Sequence, residues 1–68
     1  MTIEEQFGKR VRTLRQNLNV SQDEFAYMCH LHRNYISDLE RGRRNVSLRA
    51  IKQIADGLGV EIATLFKE

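Results

Sequence analysis

The 68-residue chain predicts an all-α fold, a compact bundle of five helices that forms one domain over residues 1–68. Three observations support this prediction. Apolar residues recur at spacings of three and four, which places them on one face of a helix. A serine or threonine followed three positions later by glutamate occurs twice ahead of an apolar run, and such a pair marks a helix start. The chain has no proline and few glycines, so nothing marks a linker or a second domain.

The first helix is predicted near residues 3–18. Thr2 and Glu5 form the capping box at its start, and Asn19 suits the left-handed conformation that ends a helix. Its apolar stripe consists of Ile3, Phe7, Val11, Leu14 and Leu18. This stripe is about 80° wide, as expected for a helix that buries one face.

The second helix is short and is predicted near residues 22–29. Ser21 and Glu24 form its capping box, directly after the first helix stops. Cys29 falls on its inner face and is interpreted as a small core residue rather than a reactive thiol. Because the chain has a single cysteine, it forms no internal disulfide, which favours a reducing, cytoplasmic compartment.

The remaining helices are predicted near residues 33–41, 48–58 and 61–67. Ser47 caps the fourth helix and Gly59 ends it. The fifth helix lacks a good capping residue. Its apolar side consists of Ile62, Leu65 and Phe66.

Basic residues are unevenly distributed, although the net charge is only +2. Residues 9–15 hold four bases and no acid, and residues 33–52 hold six bases against Asp38 and Glu40. Such local density is typical of a surface that binds a polyanion, but ordinary solvated helix surface is also consistent with it. No apolar run approaches the length that spans a bilayer, and the N-terminus lacks the features of a signal peptide, so we expect no membrane association and no export.

The second and third helices, joined by a short turn, describe a candidate helix-turn-helix. Three segments sharpen this interpretation: FGKRVRTLR at residues 7–15, VSQDEFA at 20–26 and NYISDLERG at 34–42. Together they resemble the helix-turn-helix domain of the phage repressor and Cro family, which has the lambda-repressor-like DNA-binding fold. Residues 33–37 and 40–45 are more narrowly similar to the controller proteins of restriction-modification systems.

This resemblance implies a sequence-specific DNA-binding regulator of transcription that acts as a homodimer on a pseudo-palindromic operator in double-stranded DNA. The third helix would enter the major groove, which displays a different donor and acceptor pattern for each base pair. Arg33 could contact a guanine or a phosphate, and Asp38 could accept from cytosine N4. The expected DNA-binding residues are Gln22, Arg33, Asn34, Tyr35, Ser37, Asp38, Arg43, Arg44 and Asn45.

Two further expectations concern the scaffold. The resemblance implies that Arg15 and Glu40 form a largely buried ion pair, whereas the alternative is two unrelated surface charges. The C-terminal apolar residues offer more surface than so small a core requires, so they predict a dimer interface; alternatively, they only close the monomer core. The predicted interface residues are Val60, Ile62, Leu65 and Phe66.

Cys29, His30 and His32 place three potential metal ligands within four residues. Structural zinc usually gathers two ligand pairs from separate segments, and the chain has no second such cluster, so no metal site is expected. No catalytic constellation stands out either, so we expect no enzyme activity, no cofactor and no small-molecule substrate. A phage-type repressor, or an antitoxin or adaptor module that binds a protein partner, remains the alternative function.

Overall fold

Helices follow one another in the predicted order in a computed structural model that describes residues 1–67. The fold class is confirmed: no strand is present in this part of the chain. The four α-helices are α1 (Ile3–Asn17), α2 (Gln22–Cys29), α3 (Arg33–Glu40) and α4 (Leu48–Leu58). The fifth predicted helix is instead a single 3₁₀-helix, Ile62–Phe66. Its five residues make fewer than two turns, and its cap position, Glu61, contributes no side-chain hydrogen bond, so it adopts the tighter 3₁₀ form.

Helix starts are fixed by local hydrogen bonds that the sequence predicts. The Thr2 hydroxyl accepts from the Glu5 N–H at 3.1 Å, and the Glu5 carboxylate accepts from the Thr2 N–H at 2.8 Å. The backbone N–H of Thr2 stabilises the carboxylate and lowers the pKa of Glu5. Ser21 and Glu24 repeat this arrangement at the start of α2. Both capping boxes are therefore confirmed.

The turn between α2 and α3 is held at both ends. His30 ends α2 in the left-handed conformation, with φ 58° and ψ 39°. His32 caps α3, because its Nδ1 accepts from the Asn34 N–H at 3.0 Å. From α4, Gln53 donates to the carbonyl oxygens of Cys29 and His30 at 3.1 and 3.2 Å. These contacts fix the angle between the two helices.

The core lies where all the helices converge, and α3 packs against both α1 and α2. A Cβ atom at Gly8 would collide with the Leu39 carbonyl oxygen, so the α1 backbone lies directly against the end of α3. This close approach explains the need for glycine at that position. The largest fully buried side chains are Phe25, Ile36, Leu39, Ile54, Leu65, Val11 and Cys29.

Leu65 corrects one prediction. It was expected at a dimer interface, but it is 0% exposed and belongs to the monomer core. Its neighbour Phe66 packs its ring against Phe7, with centroids 5.2 Å apart, and remains 49% exposed. The 3₁₀-helix therefore buries one side chain beneath α1 and leaves the next at the surface.

Candidate nucleic-acid interface

Helix α3 separates an apolar inner face from a polar outer one. Ile36 and Leu39 are buried on the inner face, since Ile36 is 0% and Leu39 1% exposed. Arg33 and Asn34 are exposed at the start of the helix. The side chains of Ser37 and Asp38 are partly exposed, and Arg41 is exposed at the C-terminal end. Two turns of helix thus present polar groups outward, at a width that fits a DNA major groove.

Arg15 of α1 and Glu40 of α3 form a buried ion pair. Arg15 Nε lies 2.7 Å from Glu40 Oε2, and Arg15 Nη2 lies 3.0 Å from Glu40 Oε1. The third donor, Arg15 Nη1, binds the Val20 carbonyl oxygen at 2.9 Å. The side chains are only 11% and 3% exposed. The two-point contact with Glu40 locks α3 to α1, and the bond to Val20 ties α1 to the segment that precedes α2.

Gln22 joins the same network at the first turn of α2. Its Nε2 donates to Glu40 Oε1 at 3.1 Å, and the residue is partly buried. The structure therefore ties this expected DNA-binding residue to the inner edge of α3. Sequence reasoning missed the contact, because nothing in the spacing of residues 22 and 40 predicts it.

Arg33, an expected DNA-binding residue, is paired with an acid of α2. Its Nε lies 2.9 Å from Asp23 Oδ1, while the two side chains are 61% and 73% exposed. An ion pair this exposed contributes little to stability and exchanges readily for another partner. Arg33 is therefore available to a ligand that approaches α3 from solvent.

Arg44 lies against the flank of α3, although it follows the helix in sequence. Its Nη2 is 3.3 Å from Asp38 Oδ2, and its guanidinium carbon is 4.4 Å from the centre of the Tyr35 ring. The chain reverses at Gly42, which has a φ of 74°, and the Arg43 N–H donates to the Asp38 carbonyl oxygen at 3.0 Å. Three expected DNA-binding residues thus form one cluster that sequence reasoning did not foresee.

The other expected site residues remain at the surface. Arg43 and Asn45 are exposed in the loop after α3. Of the expected interface residues, Val60 and Ile62 are partly exposed and Phe66 is about half exposed.

The potential metal ligands of the α2–α3 turn have other roles in the structure. Cys29 is buried, and burial raises the pKa of its thiol to about 12. His32 uses its Nδ1 to cap α3. Within residues 1–67, no three histidine, cysteine or acidic side chains gather in a group that could hold a metal. None of the helices in that range has the length and apolar content needed to cross a bilayer.

Comparison with known proteins identifies a helix-turn-helix in the same part of the chain. A family model described as helix-turn-helix matches residues 11–65. The control protein C.BamHI of Bacillus amyloliquefaciens is 54% identical over 56 residues, covering 81% of this chain and 69% of that protein. The control protein C.MunI of a Mycoplasma species is 40% identical over 63 residues, covering 91% of this chain and 85% of that protein.

A solved structure extends the similarity to three dimensions. The crystal structure of the restriction-modification controller protein C.AhdI from Aeromonas hydrophila matches with a TM-score of 0.91 at 41% identity. The match covers 93% of this chain and 96% of that chain. Sequence and fold are therefore similar to those of this controller protein over almost the whole length of both chains.

Proposed function

The chain belongs to the helix-turn-helix family, and on that premise we propose that it is the controller protein of a restriction-modification system. It is a DNA-binding regulator of transcription and not an enzyme. One observation carries the proposal: α3 is fixed on its inner side and presents a polar, arginine-containing face to solvent. Two proteins named as control proteins are 54% and 40% identical to this chain over most of its length.

In the proposed complex, α3 lies in the major groove and reads base edges. Arg33 suits a guanine, since its two parallel N–H donors match guanine O6 and N7. Its present partner Asp23 is exposed and is exchanged at low cost. Asn34 and Ser37 add hydrogen bonds from the same face.

Phosphate contacts position the helix without reading sequence. Gln22 lies at the N-terminal turn of α2, where backbone N–H groups favour an anion. Glu40 holds the Gln22 side chain close to α3, so the anchoring and reading elements share one rigid frame. Arg43 and Asn45 extend the contact past the end of α3.

The buried ion pair supports this function by preorganising the surface. Arg15 and Glu40 connect α1 to α3, and Gln22 connects α2 to the same carboxylate. A surface that is already ordered loses less conformational entropy when it binds. We therefore expect the DNA-binding face to change little between the free and bound states.

A homodimer would place two copies of α3 about 34 Å apart, one turn of DNA, and so match a pseudo-palindromic operator. Val60, Ile62 and Phe66 supply exposed or partly exposed apolar surface for the dimer contact. Leu65 is excluded from that contact because the monomer core buries it. Because the operator lies on cellular DNA, we assign the protein to the cytoplasm.

Selection from a pool of randomised duplexes, followed by footprinting on the DNA that flanks the protein's own gene, tests the function. We expect one preferred sequence, bound at least about 10³-fold more tightly than random duplex. Arg33→Ala should relax the preference at one base pair of each half-site, and Gln22→Ala should weaken all duplexes to a similar extent. Lys52→Ala, which removes one positive charge from α4, is the charge-matched control for Arg33→Ala.

Two results would contradict the proposal. One is binding that shows no preference for any duplex at low ionic strength. The other is a footprint that both the Arg33 and the Gln22 variants leave unchanged. Binding to an acidic protein, with no preference among duplexes, would instead support an adaptor module.

Sedimentation equilibrium tests the dimer. We expect a concentration-dependent dimer that Phe66→Ser weakens by at least about tenfold, because aromatic residues dominate the free energy of small interfaces. Tyr27→Ser is the control, since Tyr27 is also an exposed aromatic residue, 85% exposed, on α2. A wild-type protein that stays monomeric at high concentration, with and without DNA, would refute the dimer.

A further inference from the structure

Arg44 is held more firmly than a loop arginine usually is. It contacts a carboxylate on one side, at 3.3 Å from Asp38, and an aromatic face on the other, at 4.4 Å from the Tyr35 ring centre. Its side chain is 41% exposed, and that of Asp38 is 40% exposed. Tyr35 and Asp38 are one helical turn apart, so they form a single cradle on the flank of α3.

Within the cradle, Arg44 keeps N–H donors that the contact with Asp38 does not use. A guanidinium carries five N–H groups, and the contact with Asp38 uses one of those on Nη2. The remaining groups can bind a third partner while the ion pair stays intact. The charge of that partner then determines how well it binds, because the Asp38 carboxylate lies beside it.

A phosphate and a base edge differ in how they tolerate the Asp38 carboxylate. A phosphate is anionic, so Asp38 repels it and also neutralises the charge that would attract it. Guanine O6 and N7 are neutral acceptors, which can share the guanidinium with a carboxylate. The ion pair therefore favours contact with a base edge over contact with the DNA backbone.

We propose that Asp38 is a positioning residue for sequence specificity, which holds Arg44 on the flank of α3 for a base edge and withholds it from phosphates. This inference rests on the proposed function, because it requires an operator. It assigns Asp38 a role through Arg44, in place of direct contact with cytosine. The carboxylate then lowers affinity for random DNA without lowering affinity for the operator.

The test compares Asp38→Asn with Asp56→Asn, which removes the same charge from the exposed Lys52–Asp56 pair on α4. Each protein is titrated by fluorescence anisotropy, at several salt concentrations, with the duplex that the wild type selects and with a random duplex of equal length. Beyond the effect of the control, Asp38→Asn should bind random duplex about threefold more tightly. Its salt slope on that duplex should steepen by about 0.9, the value of one added phosphate contact.

Affinity for the selected duplex should not rise in parallel, so the ratio of affinities for the selected and the random duplex should fall. The fall should reach about tenfold if the base contact is also weakened. Asp38→Glu, which keeps the carboxylate, should restore weak binding to random duplex. In an Arg44→Ala background, Asp38→Asn should do no more than Asp56→Asn. A shift that persists there would overturn the proposal, because Asp38 would then act without Arg44.

Two other outcomes also overturn it. If Asp38→Asn and Asp56→Asn raise binding to both duplexes equally, Asp38 contributes only general charge. If Asp38→Asn weakens only the selected duplex and still does so with Arg44→Ala, Asp38 reads a base directly. In both cases the wild type keeps its preferred sequence and the proposed function stands, whereas a wild type with no preference removes both proposals.

Discussion

Breaking the ion pair between Arg15 and Glu40 should cost a large part of the stability of this domain. Glu40→Ala would leave the Arg15 guanidinium buried with only the Val20 carbonyl as partner, and Gln22 would lose its acceptor. Removing one partner of a buried pair costs about 3–5 kcal/mol. A core of this size rarely contributes more than about 3–5 kcal/mol of net stability. The alanine variant should therefore be largely unfolded, which makes it a poor probe of the interaction.

A double-mutant cycle with Arg15→Met and Glu40→Gln measures the interaction with a smaller loss of packing, because both substitutions keep most of the side-chain volume. Each single substitution leaves one buried group without its charged partner, whereas the double substitution removes both charges. The double variant should therefore lose less than the sum of the single losses, by about 2 kcal/mol. The two contacts, at 2.7 and 3.0 Å, and the low exposure of both side chains place the coupling near the upper end of measured values.

Urea unfolding followed by far-ultraviolet circular dichroism provides the free energies, at one fixed protein concentration because a dimer would add to the apparent stability. The control cycle uses Lys52 and Asp56, which form an exposed pair at 3.0 Å with side chains 64% and 62% exposed. Its coupling should stay below about 0.5 kcal/mol. A coupling between residues 15 and 40 no larger than this control would show that burial does not strengthen the pair.

Three further predictions concern the scaffold. Gly8→Ala should destabilise the protein by about 2–3 kcal/mol, because the new Cβ collides with the Leu39 carbonyl oxygen; an unchanged urea midpoint would contradict the close approach of α1 to α3. Burial raises the pKa of Cys29 from an ordinary 9.0 to about 12, so the unfolded chain loses the thiol proton first. Between pH 9 and 12 the free energy of unfolding should fall by about 1.4 kcal/mol per pH unit relative to Cys29→Ala, and parallel pH profiles of the two proteins would refute this. Gln53→Ala should cost about 1–2 kcal/mol in thermal unfolding, because the carbonyls of Cys29 and His30 lose a donor; no change in the melting temperature would mean that water replaces it.

The fold could be predicted closely because its signals are local. Thr2 with Glu5 and Ser21 with Glu24 fix two helix starts through hydrogen bonds between residues three apart. The 3₁₀-helix is predicted as an ordinary helix, because apolar spacing over five residues does not distinguish a 3₁₀-helix from an α-helix. The contact of Arg10 in α1 with the Thr64 carbonyl oxygen, at 3.2 Å, is likewise too distant in sequence to predict.

The candidate site could be predicted only in part. The direction of Glu40 toward the inner edge of α3 follows from helical geometry. The pairing of Arg44 with Asp38 and Tyr35 does not, because it depends on how the loop at Gly42 turns back. An apolar residue such as Leu65 reveals a buried face, but spacing does not say whether the same chain or a second copy covers it.

Helix α3 has only eight residues, which at 1.5 Å per residue is about 12 Å. Base pairs are stacked about 3.4 Å apart, so one such helix can touch about four of them. A sequence of about four base pairs recurs by chance every few hundred base pairs, whereas a genome offers about 10⁶–10⁹ competing sites. The shortness of the proposed recognition helix thus limits the number of base pairs that one copy can specify. Recognition of a unique site on a chromosome therefore requires several such short contacts to act together.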